Sequence, residues 1–444
     1  MFGYHLKTAL KSLRRNPILT ALLIGGIALG ICVSTAFVTL RHMYTQDPLP
    51  GKSDKVFYVR LDSWGKDSPF GGGISSLSSN MAIPDQITFR DAQNLLHSPV
   101  PVRQSATYIT RVFVYPDPKV ARPFQPDIRL CSADFFDMFK MPFQYGGPWT
   151  KANDAKPDQV VVIDDATNRK LFGGDNSVGK EIRIGTRQFK IAGVLAPWRP
   201  ALRLFDLTRN PAGPPEPLYI PFNLHNTIPY QSFGNNSGWK RQPDVTTYEQ
   251  LIATSERTFI QYWVELPDPK AAGAYGDWLT GYINDQKKIG RFERPVYYRL
   301  TTIPDLIQEW NLTPTGVRAM SVVSLLFLAV CSVNLVGILL GKFLARIPEV
   351  SVRRALGASR ADIFWQHVIE CELIGVIGGI LGIALSAGIL ALLARFMQNG
   401  EALRLDGEML ITATFLSLVA GAVAGVYPAW RAASVAPAMQ LKLQ

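Results

Sequence analysis

Four uncharged apolar runs constrain this chain more than any other feature. They are Pro17–Leu40, Ala319–Gly341, Ile374–Ala394 and Met409–Val426. Each holds ~20 residues or more, enough for a helix to cross ~30 Å of hydrocarbon. The 444-residue chain is 47% hydrophobic and 18% charged, too apolar for disorder and too polar to lie wholly in a bilayer. Its polar sequence is concentrated between the first two runs, in residues 42–316. The expected plan is one span, a large soluble domain, then three spans.

Lysine and arginine near the span ends set the orientation. Lys7, Lys11, Arg14 and Arg15 precede the first span, and Lys342, Arg346, Arg353, Arg354 and Arg360 come after the second. Arg431 and Lys442 come after the fourth. The loop Arg395–Glu408 instead offsets Arg395 and Arg404 with Glu401, Asp406 and Glu408. Both termini and the 347–362 connector are therefore expected inside, and the large domain outside. The net charge of +11 is largely positive-inside charge, and no basic stripe points to nucleic acid. The first run is too long for a signal-peptide core, and Ile31 before Cys32 does not suit a lipoprotein site, so a retained anchor is expected. Of four cysteines only Cys131 lies in the outer domain, which cannot form an internal disulfide and must rest on its core.

Residues 1–16 place Phe2, Leu6, Ala9, Leu10 and Leu13 on one helical face, as in an interfacial amphipathic helix. Each span carries glycines at i, i+4: Gly26 and Gly30, Gly337 and Gly341, Gly378 and Gly382, Gly421 and Gly425. Such pairs flatten a helix face for close approach, within the subunit or across a dimer. The outer domain reads as α+β. Strands are expected at Val56–Leu61, Ala106–Val114, Gln159–Ile163, Thr258–Leu266 and Pro295–Thr301, with a hairpin through Ile182–Ile184 and Gln188–Val194. Helices are expected at Pro84–Leu96, Ala166–Phe172 and Pro269–Gln286. Pro197–Asp244 is rich in proline, glycine and asparagine and reads as an exposed, irregular excursion. Its aromatics Trp198, Phe205, Phe222, Tyr230, Phe233 and Trp239 suit either a partner contact or the domain's own core.

No catalytic constellation emerges. Gly174, Gly179 and Lys180 imitate a phosphate-binding loop, but Glu181 stands where the magnesium-holding Ser or Thr belongs, so a turn into a strand is expected. His5, His42, His97, His225 and His367 show no metal-ligand spacing, and no metal site is expected. Glu370 and Glu372 are ionisable groups within the third span, which marks them for a docking or structural role near its inner end.

The connector and the head of the third span, EVSVRRALGASRADIFWQHVIECELIGVIGG, resemble the signature of MacB/FtsX-type (type VII) ABC transporter permeases. Glu349, Arg353, Arg354, Ala355, Gly357, Ala358, Glu370, Gly378 and Gly379 match the pattern; Ser351 replaces its usual glycine, and Glu372 is additional. LKSLRRNPILTALLIGGIALGI, SADFFDMFKMPFQYGGPW, VVVIDDATNRKLFGGDNSVGKEIRIGTRQFKIAGVL and YPAWRAASVAPAMQLK resemble the family's first span, periplasmic core and C-terminal helix. The resemblance covers nearly the whole chain outside 198–257 and is closest to MacB-like efflux permeases lacking a fused ATPase.

The fold implied is an α-helical membrane protein with four transmembrane helices plus a large α+β periplasmic domain inserted between the first and second spans. Its expected segments are a cytoplasmic helix 1–16, spans at 17–41, 317–346, 363–395 and 409–428, a periplasmic domain 42–316, a connector 347–362, a loop 396–408 and a cytoplasmic helix 429–444. The domain is expected as a subdomain formed by 52–130 and 258–312 and split by an insertion at 131–257. The family implies a non-catalytic permease subunit in the bacterial inner membrane. It would bind no cofactor itself, with ATP and magnesium on a separate cytoplasmic ATPase. Further partners are a second permease subunit, identical or related, and for efflux a periplasmic adaptor and an outer-membrane duct. Glu349, Arg353, Arg354, Gly357 and Arg360 would line the ATPase-docking surface. Mechanotransmission for export is the leading function. An FtsX-like regulator of a periplasmic enzyme and a LolC/LolE-like lipoprotein-release permease stand beside it, and the cargo is not legible.

Overall fold

The computed structural model describes residues 2–434 apart from 69–82, 157, 199, 201, 207, 208, 210, 212, 235, 313, 314, 397–402 and 404, with backbone alone at 2 and 4–6. It divides into two units, Met1–Gln46 with Thr313–Gln444, and Asp47–Leu312.

The first unit begins with α1 (Phe2–Arg15) and α2 (Pro17–Thr45). Pro17 suits the first turn of α2, where its missing N–H costs no hydrogen bond. In α1 the inward face is Ala9, Ser12 and Leu13. Leu10 is exposed, about 100° round the helix from Ala9. Phe2 and Leu6 belong to the side chains not described.

The second unit runs through β1 (Val56–Leu61), β2 (Ile87–Thr88), α3 (Phe89–Leu95), β3 (Arg103–Arg111), β4 (Val114–Tyr115), β5 (Asp127–Cys131), α4 (Asp134–Met138) and β6 (Phe143–Gly146). It continues with α5 (Lys151–Ala155), β7 (Val160–Ile163), α6 (Asp165–Phe172), β8 (Glu181–Ile184), β9 (Arg187–Leu195), β10 (Leu218–Pro221) and α7 (Tyr248–Thr254). It closes with β11 (Thr258–Glu265), α8 (Ala271–Lys288), β12 (Tyr298–Thr302) and α9 (Ile303–Glu309). The strands form one sheet in the order β12-β1-β11-β3-β5-β10-β7-β9-β8-β4, with β2 on β11 and β6 on β9. Most pairings are antiparallel, while β10 runs parallel to β5, and β7 to β9.

Several expectations change here. The helix expected from Pro84 begins at Phe89, because Ile87 and Thr88 pair with β11 and the Thr88 hydroxyl accepts the Asp91 N–H at 3.0 Å, capping α3. The 131–257 insertion is not a separate body, because β10 pairs in parallel with β5 and carries the sheet on through it. Nor is 197–244 simply exposed: Leu202, Leu204, Phe205, Leu218, Phe222 and Tyr230 are buried core. Hydrophobic packing overrode a turn-rich composition. The phosphate-loop mimic is a turn with Gly173, Gly174 and Gly179 at positive φ, leading into β8.

The chain then returns through α10 (Thr315–Leu344), α11 (Ile347–Ala355), α12 (Arg360–Phe396) and α13 (Gly407–Ser434). The four long helices α2, α10, α12 and α13 are each long and apolar enough to span a membrane. Leu23, Ile27, Ile31, Leu328, Leu335, Leu339, Ile374, Ala420 and Ala424 form their shared core. Leu326, Val330, Val333, Ile380, Ile411 and Phe415 remain exposed, as a lipid-facing belt requires. The division expected at residue 428 is absent: α13 runs through Pro428 without a break to Ser434, and residues 435–444 of the expected terminal helix lie outside the described residues. Most of the expected 396–408 loop lies outside them as well.

Candidate coupling site at the connector

The connector is a helical corner. Pro348 sits in the first turn of α11, where it leaves no intrahelical bond unmade. Gly357 adopts φ +101°, the left-handed conformation in which a side chain would be strained. Its N–H bonds the Arg354 carbonyl at 3.1 Å and the Ala358 N–H bonds the Arg353 carbonyl at 3.1 Å, so both halves of a Schellman motif close α11. Ser359 then opens α12: its hydroxyl accepts the Asp362 N–H at 3.1 Å while the Asp362 carboxylate accepts the Ser359 N–H at 3.1 Å. Two helices thus meet at a turn with fixed geometry.

The expected docking residues divide into two groups. Glu349 and Arg353 are engaged within the chain. Arg353 donates to Glu349 at 2.8 Å and to Gln366 of α12 at 3.1 Å, and Glu349 pairs with Arg15 of α1 at 3.6 Å. They brace the corner to its neighbours. Arg354 is half-buried, and Arg360 lies exposed at the start of α12. Two residues not singled out from the sequence complete the outer surface: Val352 is 57% and Leu356 84% exposed, one helical turn apart. Their signal was available as an apolar i, i+4 pair beside the charged Glu349, Arg353 and Arg354. Beneath, Val350, Ile363 and Ala433 join α11, α12 and α13 in a small apolar cluster.

Below the corner lies a buried ionic knot. Glu370 of α12 is 1% exposed and pairs with Lys342 of α10 at 2.6 Å and with Arg346 at 3.6 Å. The Ser12 hydroxyl of α1 donates to Glu370 and accepts from Arg346 at 2.6 Å. Three helices therefore close on one carboxylate. Lys342, Arg346 and Ser12 were missed as its partners because their relation to Glu370 is tertiary. His367, one turn earlier, is buried, bonds the Ile363 carbonyl at 2.8 Å and meets Phe343 edge-on. Glu372 has no ion-pair or hydrogen-bond partner among the described residues, and its carboxylate approaches Gly421.

The glycine pairs also divide. A Cβ at Gly378 would meet Ile27 at 2.8 Å, and one at Gly382 would meet the Ala28 carbonyl at 2.8 Å, so α12 lies almost backbone to backbone on α2. Gly30 seats Leu328 of α10, Gly26 faces Leu335, Gly421 faces Gly375 and Glu372, and Gly425 seats Cys371. A Cβ at Gly337 or Gly341 would meet nothing within 4 Å among the described residues, so neither mediates close packing there. Their face of α10 points outward.

Such an assembly, spans packed through small residues with a charged corner at one end and a large domain inserted in the chain, defines a multi-pass membrane protein of the permease class. Residues 20–281 match the MacB-like periplasmic core domain and residues 321–437 the FtsX-like permease C-terminal region. The chain belongs to this MacB/FtsX family of ABC transporter permeases. It is 23% identical to the macrolide export ATP-binding/permease protein MacB of Chromobacterium violaceum over 97% of this chain and 59% of that protein. With the protein of the same name from Acinetobacter baylyi it is 24% identical over 70% of this chain and 41% of that protein. The chain thus spans about half the length of these relatives. The crystal structure of the periplasmic region of MacB from Actinobacillus actinomycetemcomitans covers 61% of this chain and all of that one, at 15% identity and a TM-score of 0.37.

Proposed function

We propose that this chain is the permease subunit of an ABC transporter in which a separate cytoplasmic ATPase acts on the α11–α12 corner. ATP-driven motion is transmitted along the spans to the periplasmic domain and exports a substrate from the periplasm; the relatives' names speak of macrolide export. The chain lies in the bacterial inner membrane, with both termini and the connector inside. ATP and magnesium are held by the ATPase, and a second permease subunit completes the pair.

One observation carries this reading. The corner presents Val352, Leu356 and Arg360 outward while its underside is tied to α1, α10, α12 and α13 by Arg353, Glu349, Val350 and the Glu370 knot. A push on an exposed apolar and cationic surface with no slack beneath it moves the helices together instead of bending a loop. Close glycine contacts between α2 and α12 favour rigid transmission over a wide aqueous path.

Affinity purification of the tagged full chain from native membranes, with mass spectrometry of the bound proteins, tests the proposal. An ATPase is expected to co-purify and to be lost from Leu356→Asp and Arg360→Glu. Absence of any ATPase, even with a non-hydrolysable nucleotide, overturns it. A periplasmic hydrolase or stranded lipoproteins in place of an adaptor would redirect the reading to regulation or lipoprotein release.

A further inference from the structure

The outer domain holds a half-open cavity of about 500 Å³ lined from α3, α7 and residues 229–232, 236 and 242. That volume is in the range of pockets that hold small molecules. Much of the lining is aromatic. Phe89 and Phe259 flank the His225 imidazole at ring distances of 4.5 and 5.8 Å, and Tyr248 lies 5.7 Å from it. Both nitrogens of His225 are occupied, Nδ1 by the Tyr108 hydroxyl at 2.7 Å and Nε2 by the Tyr248 hydroxyl at 3.1 Å. Burial pushes the imidazole pKa down to about 4, so at neutral pH it is an uncharged ring.

Two polar groups in the lining are not used by the fold. Arg257 is half-buried, and among the described residues no acidic group pairs with its guanidinium, although the adjacent Glu256 is bound to Arg291 at 2.6 Å. With His225 neutral, Arg257 is the one charged side chain among the lining residues described. The Asn236 amide donates to the Ser232 hydroxyl at 2.6 Å, while its own carbonyl oxygen is buried and accepts no hydrogen bond among the described residues. A buried acceptor left open costs stability unless a ligand or water fills it.

We infer that this cavity binds a small molecule with a flat apolar body and a single anionic group, the body lying against the rings and the anion on Arg257. Aromatic walls favour offset stacking with a planar guest. A guanidinium in a partly enclosed site makes short, charge-assisted bonds to carboxylate or sulfonate. Asn236 adds an acceptor for a donor group on the guest. The inference stands without the transport reading, because it concerns binding alone.

The test is calorimetric titration of 2-naphthoate into the full chain in lipid nanodiscs, with empty nanodiscs as the blank and the uncharged 2-naphthamide as comparator. Saturable binding at one site per chain is expected. Arg257→Gln should weaken naphthoate about tenfold and leave naphthamide unchanged, as loss of a charge-assisted bond requires. Asn236→Asp, which adds a like charge, should weaken naphthoate in the same sense. Leu251→Trp, filling the cavity, should abolish binding of both probes. An unchanged thermal transition shows that each variant is folded. Naphthoate binding no greater than in the blank overturns the inference, as does equal affinity in wild type and Arg257→Gln.

Discussion

In the membrane unit one carboxylate, Glu370, gathers a lysine, an arginine and a hydroxyl from outside its own helix; in the outer domain buried arginines hold carboxylates from other segments. Arg60 holds Glu309 at 2.8 Å, and Arg291 holds Asp91 at 2.7 Å and Glu256 at 2.6 Å. Arg129 holds Glu216 and Asp206, each at 2.8 Å, while Arg203 adds a further bond to Glu216 at 2.9 Å. In both places an uncompensated buried charge is costly, so the partners fix which segments meet. The difference lies in what is being fixed. Helices that already form independently need only their relative position set, whereas the outer domain pins otherwise irregular chain onto a sheet.

The sharpest break of this comparison is Arg129→Met. It leaves buried Asp206 without its arginine and Glu216 with Arg203 alone, and should cost the outer domain about 3–5 kcal/mol, read as a lowered denaturant midpoint of its unfolding. Glu370→Gln should destabilise the membrane unit somewhat less, by about 2–4 kcal/mol in detergent, because only Lys342 is left buried while the partly exposed Arg346 can turn to water. Adding Lys342→Gln should recover part of that loss. A double mutant no better than the single would mean that the knot is not an energetic unit.

Within the outer domain, pH sets two buried groups against each other. Burial raises the Asp154 pKa to about 6, against the hydrogen bonds from the Ala133 N–H and the Trp149 indole that favour its ionised form. A raised carboxyl pKa contributes stability that is fully present below about 3.8 and is lost as pH rises through about 6. His225, lowered to about 4, works in the opposite sense: its contribution is present above 6.5 and is lost as pH falls towards 4. Asp154→Asn removes the compensating slope, so the outer domain should lose up to about 2–3 kcal/mol more than wild type on acidification from pH 6.5 to 4. Equal pH profiles would show that Asp154 ionises normally. The smallest effects compare two glycines. Gly382→Val should destabilise the α2–α12 contact by about 1–3 kcal/mol, whereas Gly341→Val, facing open space, should change thermal stability by less than about 0.5 kcal/mol.

Much of this architecture was legible because its signals are local. Apolar length gives the spans, a short apolar β-rich run gives β1 and a period of two gives β8 and the start of β9, and Gly357 with Ser359 and Asp362 spells a helix stop and a helix start. The glycine pairs were legible as close-packing faces, but not which face meets which helix: among the described residues three find partners and the pair in α10 does not. Glu349 and Arg353 were legible as a charged corner, but their partners Arg15 and Gln366 come from other helices. In the excursion the local signals pointed away from order. Leu218–Pro221 is too short to register as a strand, and it is one because β5 and β7 offer it two edges.

Hydrophobic length, turn chemistry and a contiguous motif act over a few residues, so linear order alone specifies the number of spans, the insertion of a large domain and the family. Which charges neutralise one another, which glycines touch a neighbour and where an open cavity leaves Arg257 without an acidic partner among the described residues are settled only when the chain is folded. Those outcomes depend on distances between segments up to hundreds of residues apart, which no local pattern encodes.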